Sequence, residues 1–235
     1  MTLIAGDSII DWIIKDKRVQ PTVGGVGNIV RGLKIRGHDI QLLTLYNPML
    51  YPMSYVFDLH PNSLTDFDHR NVFVRDYDKA VFQRFRENLK ASVLDVKNAT
   101  AVICHEDSVI RRFTSFYADV RDISVRGSCD ILRMSSSDDT EAIMQKVDHK
   151  IAIITYKDRV EIKGIFVDSP NEWMVKHFPS VAAIDDIGAG DSFDVGFLDY
   201  ILSKSDPMAS INEAIQRGIE TAQEKVTSIG VFLDG

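Results

Sequence analysis

Two glycine-rich turns constrain the fold of this 235-residue chain more than any other feature. They span residues 24–28 and 185–193, and each follows a strand-like run and precedes apolar residues at helical spacing. Other runs typical of buried strands alternate with helix-like patterns, at residues 3–5, 40–46, 101–104, 116–121, 151–155 and 160–167. This order predicts an α/β fold with a doubly wound, mostly parallel sheet, in which ligands bind at the carboxyl ends of the strands.

Composition limits the class of protein. Hydrophobic residues make up 45% of the chain and charged residues 26%, which predicts a single globular domain over residues 1–235. The net charge of −7, without a basic block, disfavours a nucleic-acid surface. Cys104 and Cys129 have neither metal-ligand spacing nor the density of a disulfide scaffold, so a reduced, cytoplasmic setting is expected. Residues 1–5 are too short for a signal sequence, and no apolar run is long enough to span a membrane.

The second turn has the composition of an anion-binding site. Gly188 and Gly190 flank Ala189 and carry no side chain, so an anion can approach the free N–H groups at the helix start closely. Asp191 lies in the first helical turn. Phosphoryl transfer needs this combination, because N–H groups stabilise charge on the transferred group while a carboxylate accepts the proton of the attacking hydroxyl. The alternative is a structural turn in which Asp191 only favours the helix dipole.

The pattern Asp-x-x-Gly-Ala-Gly-Asp-Ser-Phe at residues 185–193 resembles the second signature of the ribokinase-like (PfkB) carbohydrate kinases. The resemblance implies the three-layer fold of that family, ATP and Mg²⁺ as cofactors, and a sugar or sugar phosphate as substrate. It also implies that Asp191 is the catalytic base, that residues 188–190 form the anion hole, and that Asp185 belongs to the nucleotide site. Asp186 departs from the family, which usually has Thr there, and adds negative charge near the phosphates.

The first turn resembles the other signature of that family, Gly-Gly-x-x-Asn. Gly24 and Gly25 let the backbone approach a sugar, and Asn28 can donate to and accept from a hydroxyl. Asp11 follows Gly6 by five residues, the spacing at which the family places a carboxylate that holds sugar hydroxyls. These residues are therefore the implied substrate site, with a structural turn and a strand-ending Asp as alternatives. A P-loop and a dinucleotide fingerprint are excluded, because neither Gly-Lys-Ser/Thr nor the G-x-G-x-x-G spacing is present.

Two β-hairpins are expected in the first third of the chain. Residues 12–23 leave room for a hairpin where relatives carry a larger lid, so this segment is either a reduced lid or an ordinary surface hairpin. Residues 71–75 and 80–85 flank a polar turn and predict a second hairpin. This pair most resembles the kinase domain of the bifunctional heptose-phosphate kinase/ADP-heptose synthase. Arg75 and Arg84 would then face a substrate phosphate, with two solvated arginines as the alternative.

Four further positions are candidates for the nucleotide and metal sites. Asp138 and Glu141 keep the spacing of the family's Asn-x-x-Glu, which organises Mg²⁺ indirectly, and a helix N-cap is the alternative. Lys157 lies in a turn that in the family contains Gly and contacts the nucleotide. The positive charge of Lys157 would here take the place of that contact. Gly218 lies on the helix near which the family binds adenine, and tight helix packing is the alternative.

Two segments without signature residues carry predictions of secondary structure only. Residues 86–97 have apolar side chains at helical spacing (Leu89, Val93 and Leu94) and predict a helix. Residues 168–179 predict a loop.

Three functions are compatible with these patterns. An ATP-dependent sugar kinase is favoured because Asp191 and its glycines are intact. A catalytically weak relative that binds a sugar or nucleotide as a sensor or scaffold is favoured by Asp186, by the absence of Gly at residues 156–159 and by the altered Asn-x-x-Glu. A nucleoside kinase would differ only in its pocket. Lid-mediated dimers are frequent among relatives, so a homodimer is an open option.

Overall fold

The computed structural model describes residues 1–44, 58–61, 69–88, 94–105, 108–164, 172–179, 181–185 and 188–228. The chain forms two compact units, each held together by its own internal contacts. The first comprises Met1, Ser8–Ala91 and Val181–Gly235, and the second comprises Thr2–Asp7 and Ser92–Ser180. The expectation of one domain over residues 1–235 stays a prediction.

In the described parts of the chain, several strands follow one another without a helix between them, so the predicted alternation of strands and helices holds only in part. The strands are β1 Thr2–Gly6, β2 Ser8–Lys15, β3 Arg18–Gly25, β4 Ile40–Leu43, β5 Asp58–Leu59, β6 His69–Asp76, β7 Val81–Asn88, β8 Leu94–Cys104, β9 Ile110–Val120, β10 Arg126–Ser135, β11 Val147–Thr155, β12 Arg159–Gly164 and β13 Met174–His177. The helices are α1 Val26–Ile35, α2 Thr140–Met144, α3 Ala189–Leu202 and α4 Ile211–Val226, with a short 3₁₀ helix at Met208–Ser210. Among the described helices, none combines the length and apolar character that crossing a membrane requires.

The second unit is built on a mostly parallel sheet. Its strands lie in the order β13-β12-β11-β10-β9-β8-β1. Neighbours from β1 to β11 pair in parallel, whereas β12 and β13 are antiparallel additions at one edge. Residues 131–134 of β10 and 151–154 of β11 are buried without interruption. Such runs are typical of parallel strands covered on both faces.

The first unit contains a separate four-stranded sheet in the order β3-β2-β6-β7. β2 and β3 form an antiparallel hairpin, and β6 and β7 form a second one. The turn between β2 and β3 has positive φ at Asp16 and Lys17, and the N–H groups of both residues donate to the carboxylate of Asp78, at 2.8 Å each. Both expected hairpins are therefore confirmed. The role of residues 12–23 as a lid stays a prediction.

Helices α3 and α4 pack closely in the first unit because glycines stand at their contact. A Cβ on Gly218 would lie 2.8 Å from the ring of Phe193, and a Cβ on Gly196 would lie 2.5 Å from the main-chain oxygen of Arg217. The packing alternative for Gly218 is thus confirmed. Its role in nucleotide binding stays a prediction.

We expect Gly196→Ala to lower the free energy of unfolding by about 1–3 kcal/mol, because the added methyl group overpacks a rigid backbone contact. An alanine in an open helix position would instead stabilise by up to about 1 kcal/mol. Urea denaturation measures the difference, with Asn212→Ala on the exposed face of α4 as the control. A more stable Gly196→Ala variant would show that the two helices are not in contact here.

Two secondary-structure predictions are wrong in part. Residues 86–88 belong to β7 and residues 94–97 to β8, so the predicted helix over residues 86–97 is absent from its described residues. Burial alternates at residues 94–97, with Leu94 and Val96 buried, and this period of two is that of a strand. The predicted loop contains β13, which pairs with β12. Residues 45–46, 89–93 and 165–171 lie outside the described residues.

Candidate active site

The turn at residues 188–191 opens a helix, as predicted. Gly188 is the N-cap of α3 and has left-handed backbone angles, φ 80° and ψ 5°, which glycine adopts without strain. The first bond inside the helix runs from the Ser192 N–H to the Gly188 oxygen, at 2.9 Å. The N–H groups of Ala189, Gly190 and Asp191 precede it and have no acceptor within the helix. These groups and the helix dipole favour an anion at this end of α3.

Asn28 joins the two glycine-rich turns. Gly25 has φ 59° and is the N-cap of α1, which places Asn28 in the first turn of that helix. Its Nδ2 donates to Oδ2 of Asp191 at 2.8 Å, and both side chains are buried. Asn28 Oδ1 has no hydrogen-bond partner among the residues that the structure describes. The predicted base and one predicted substrate residue thus share one site.

Gly24 makes room for the carboxylate of Asp11. Asp11 lies on β2, is 1% exposed and is next to β3 in the hairpin. A Cβ at position 24 would lie 2.5 Å from Asp11 Oδ2, so a larger residue would displace the carboxylate. Oδ2 has no hydrogen-bond partner within the described part of the chain. The sequence predicted that the glycines allow close approach of a sugar, whereas the close approach seen at Gly24 is that of Asp11.

Two opposing effects set the ionisation of Asp11. The pKa of Asp11 is raised overall from 3.8 to about 6, chiefly by burial, and the neighbouring charge of Asp191 acts in the same direction. Arg75 lowers the pKa, with Nη2 at 3.4 Å from Oδ1 of Asp11. Arg75 is itself 9% exposed, so the solvated alternative is wrong for this arginine. The side chain of Arg84 lies outside the description, and contact of either arginine with a substrate phosphate stays a prediction.

Asp185 is held by two residues that the sequence analysis missed. The Tyr77 hydroxyl donates to Asp185 Oδ2 at 2.6 Å, and Lys225 Nζ lies 3.8 Å from the same oxygen. Burial and the bond to Asp185 both raise the pKa of Tyr77, so the phenol stays protonated. Lys225 follows Gly218 by seven residues on the apolar face of α4, and a lysine in that stripe was the available signal. Asp186 lies outside the described residues.

The remaining candidates belong to the second unit, and they are Asp138, Glu141 and Lys157. Asp138 accepts from the Ser135 N–H at 2.6 Å, and burial raises its pKa. Asp139 is the N-cap of α2 and accepts a hydrogen bond from the Ala142 N–H at 3.2 Å. The helix N-cap expected as the alternative is therefore present, but Asp139 forms it and not Asp138. Glu141 is exposed in the first turn of α2. No group of three metal-ligating side chains occurs within the described ranges.

Lys157 lies at the exposed turn between β11 and β12. The turn is closed by a bond from the Tyr156 N–H to the Arg159 oxygen at 2.9 Å. The predicted contact of Lys157 with a nucleotide stays a prediction.

Comparison with known proteins rests on structure alone. The sequence matches no protein-family model and no curated protein. A fructokinase double mutant from Vibrio cholerae O395 with fructose, ADP and potassium bound is 15% identical, with a TM-score of 0.64 over 98% of this chain and 94% of that one. A sugar kinase from Pyrococcus horikoshii in complex with ATP is 15% identical, with a TM-score of 0.62 over 98% and 94%.

A nucleoside kinase from Methanocaldococcus jannaschii, described as an archaeal member of the ribokinase family, has a TM-score of 0.59 at 14% identity, over 98% of this chain and 93% of that one. The chain has a ribokinase-like fold. The fold class expected from the two signatures is therefore confirmed. In this ribokinase-like chain the particular likeness to a heptose-phosphate kinase stays a prediction.

Proposed function

We propose that the protein is an ATP-dependent phosphotransferase that phosphorylates a hydroxyl group of a sugar or sugar phosphate. The observation that carries the proposal is the hydrogen bond between Asn28 and Asp191. This bond joins a buried carboxylate in the first turn of α3 to a polar group of the first glycine turn. The ribokinase-like fold supports the proposal, because the neighbours that share it include kinases with fructose and ADP or with ATP bound.

Asp191 acts as the general base in this proposal. Its carboxylate accepts the proton of the acceptor hydroxyl as the hydroxyl oxygen forms a bond to the γ-phosphorus, and the bridging oxygen leaves with ADP. The main-chain N–H groups of residues 188–191 stabilise the charge on the transferred group. Asn28 orients Asp191 through the bond to Oδ2.

Asp11 and Asn28 are the proposed contacts to the substrate that accepts the phosphoryl group. Asp11 Oδ2 and Asn28 Oδ1 are buried acceptors that lack a protein partner among the described residues. Buried acceptors favour a ligand that donates hydrogen bonds, and neighbouring hydroxyl groups of a sugar do so. Gly24 leaves room for the Asp11 carboxylate, and Gly25 remains a proposed residue of the substrate site.

The nucleotide and metal assignments follow the family resemblance. ATP supplies the phosphoryl group, and the amides at the start of α3 fit its terminal phosphate. Asp185, Lys157 and Gly218 remain the proposed nucleotide residues. Asp138 and Glu141 keep the spacing of the family's Asn-x-x-Glu and are proposed to organise Mg²⁺ indirectly, through water. A cytoplasmic location and a homodimer are further proposals.

A second candidate is a sugar or nucleotide sensor of low activity. The exposed turn at Lys157, which has no glycine, favours it, because the contact to the nucleotide phosphates expected from the family is altered there. A nucleoside kinase is the remaining alternative, since one neighbour of the same fold has that activity.

Thermal stabilisation and ADP release together test the proposal. Individual sugars, sugar phosphates and nucleosides are added with and without Mg-ATP, and the shift in Tm is measured beside a coupled assay for ADP. We expect at least one sugar or sugar phosphate to raise Tm and to give ADP release that depends on its presence. Stabilisation without ADP release from any acceptor would favour the sensor, and turnover of nucleosides alone would favour the nucleoside kinase.

A further inference from the structure

A tyrosine joins the four-stranded sheet to a buried carboxylate of another segment of the first unit. Tyr77 directly follows β6, and its hydroxyl donates to Asp185 Oδ2 at 2.6 Å. Hydrogen bonds to a carboxylate are among the stronger ones in proteins. The accepting side is fixed, because Asp185 is 7% exposed and its own N–H donates to the oxygen of Val226, the last residue of α4, at 3.2 Å.

The sheet is bound to Tyr77 at several points. The Tyr77 N–H donates to the Ile14 oxygen of β2 at 2.8 Å. The next residue, Asp78, accepts from the N–H groups of Asp16 and Lys17, at 2.8 Å each, and so joins the turns of the two hairpins. β2 also pairs with β6 over five residues. A displacement of Tyr77 would therefore be transmitted to β2.

Asp11 lies on β2 between two attachments of the sheet. At one end β3 runs directly into α1 at Gly25, and at the other end Tyr77 makes its hydroxyl bond. Asp11 is 1% exposed, and its ion-pair partner Arg75 belongs to the same sheet. The pair moves together with the sheet, whereas the burial of Asp11 and its proximity to Asp191 depend on where the sheet is held.

We infer that Tyr77 is a positioning residue that, through its bond to Asp185, holds the Asp11 carboxylate in the candidate active site. A hydrogen bond to a charged group changes an equilibrium about 10–100-fold. Without the hydroxyl, Asp11 should therefore become exposed about 10–100-fold more often. The consequence for substrate binding rests on the proposed function, whereas the consequence for the exposure of Asp11 does not.

The test is the rate at which a water-soluble carbodiimide and glycine ethyl ester label the Asp11 carboxyl of the free protein, read by mass spectrometry. A buried carboxyl reacts only when a local opening exposes it, so the rate reports that opening. Tyr77→Phe should raise the labelling rate of Asp11 about 10–100-fold. Asp119 in the second unit is 0% exposed, and as an internal control its labelling rate should stay unchanged.

Tyr156→Phe is the matched control. The Tyr156 hydroxyl donates to Glu161 Oε2 at 2.9 Å, so this variant removes the same kind of bond from another part of the chain. Its Asp11 labelling should equal that of the wild type. Equal increases at Asp11 and Asp119 in Tyr77→Phe would show a general loss of stability, and an unchanged rate at Asp11 would show that other contacts position it. Either result would overturn the inference.

A second variant weakens the bond from its accepting side. Asp185→Asn leaves the phenol an acceptor without charge, so it should raise the labelling rate of Asp11 by a smaller factor than Tyr77→Phe does. This variant decides the question if Tyr77→Phe does not fold. A wild-type labelling rate in Asp185→Asn would then contradict the inference.

Kinetics separate the positioning role from the proposed function. With an acceptor that supports ADP release, Tyr77→Phe should raise the KM of the acceptor about tenfold and change kcat by less than about threefold. It should add nothing to Asp11→Asn, because Tyr77 acts through Asp11. Additive effects in the double variant would overturn that route. If the labelling of Asp11 responds to Tyr77 but no acceptor gives ADP release, the positioning role stands and the proposed function fails.

Discussion

Asp191→Asn is expected to lower kcat by about 10³-fold or more, with a much smaller change in the KM of the acceptor. Asparagine keeps the size of the side chain and can still accept the hydrogen bond from Asn28, so the site should keep its shape. It cannot accept the proton of the attacking hydroxyl, and the loss of a general base costs about 10²–10⁴-fold. The measurement is steady-state ADP release with the best acceptor found in the panel.

Asp199→Asn is the control on the same helix. Asp199 is paired with Arg36 and His38 and lies outside the first turn of α3, so its substitution should leave kcat unchanged. Circular dichroism should show the same Tm for Asp191→Asn as for wild type, within a few degrees. A variant with wild-type kcat would show that Asp191 is a structural helix residue and that the base lies elsewhere.

The elements that carry the candidate site follow from local chemistry, which is why the sequence predicts them. A glycine at the N-cap followed by Asp in the first turn defines the start of α3, and Gly25 similarly precedes α1. The resemblance to two signatures implied roles for both turns in one kinase site, and those roles stay a prediction. The hydrogen bond between Asn28 and Asp191, which are 163 residues apart in the sequence, was not itself predicted.

Long-range pairs could not be predicted in the same way. The contact between Gly24 and Asp11 depends on the register of the β2–β3 hairpin, which no local pattern specifies. The anchoring of Asp185 by Lys225 and Tyr77 depends on three separate segments coming together. Residues 94–97 were assigned to a helix because short apolar runs fit both periods, and pairing of β8 with its neighbours decided the outcome.

Asp11→Asn should weaken the use of the acceptor substrate and leave the fold intact. Acceptor affinity and protein stability should depend on pH in different ways. We expect kcat/KM for the acceptor to fall about 100-fold at neutral pH, because a charged acceptor of hydroxyl hydrogen bonds is lost. In the wild type the pKa of Asp11 is about 6, so its carboxylate is neutral below that pH, and acceptor affinity should fall about tenfold for each further pH unit. The variant should lack this dependence.

Stability should respond in the opposite direction. The folded-state pKa of Asp11 lies above its unfolded value of 3.8, so the folded protein binds the extra proton between about pH 4 and 6. The stabilising contribution is present in full below pH 4 and is lost as the pH rises through 6, by about 3 kcal/mol. Asp11→Asn should therefore unfold at neutral pH with a free energy at or above that of the wild type. A large loss of stability together with unchanged acceptor affinity would identify Asp11 as a structural partner of Arg75 and not as a substrate ligand.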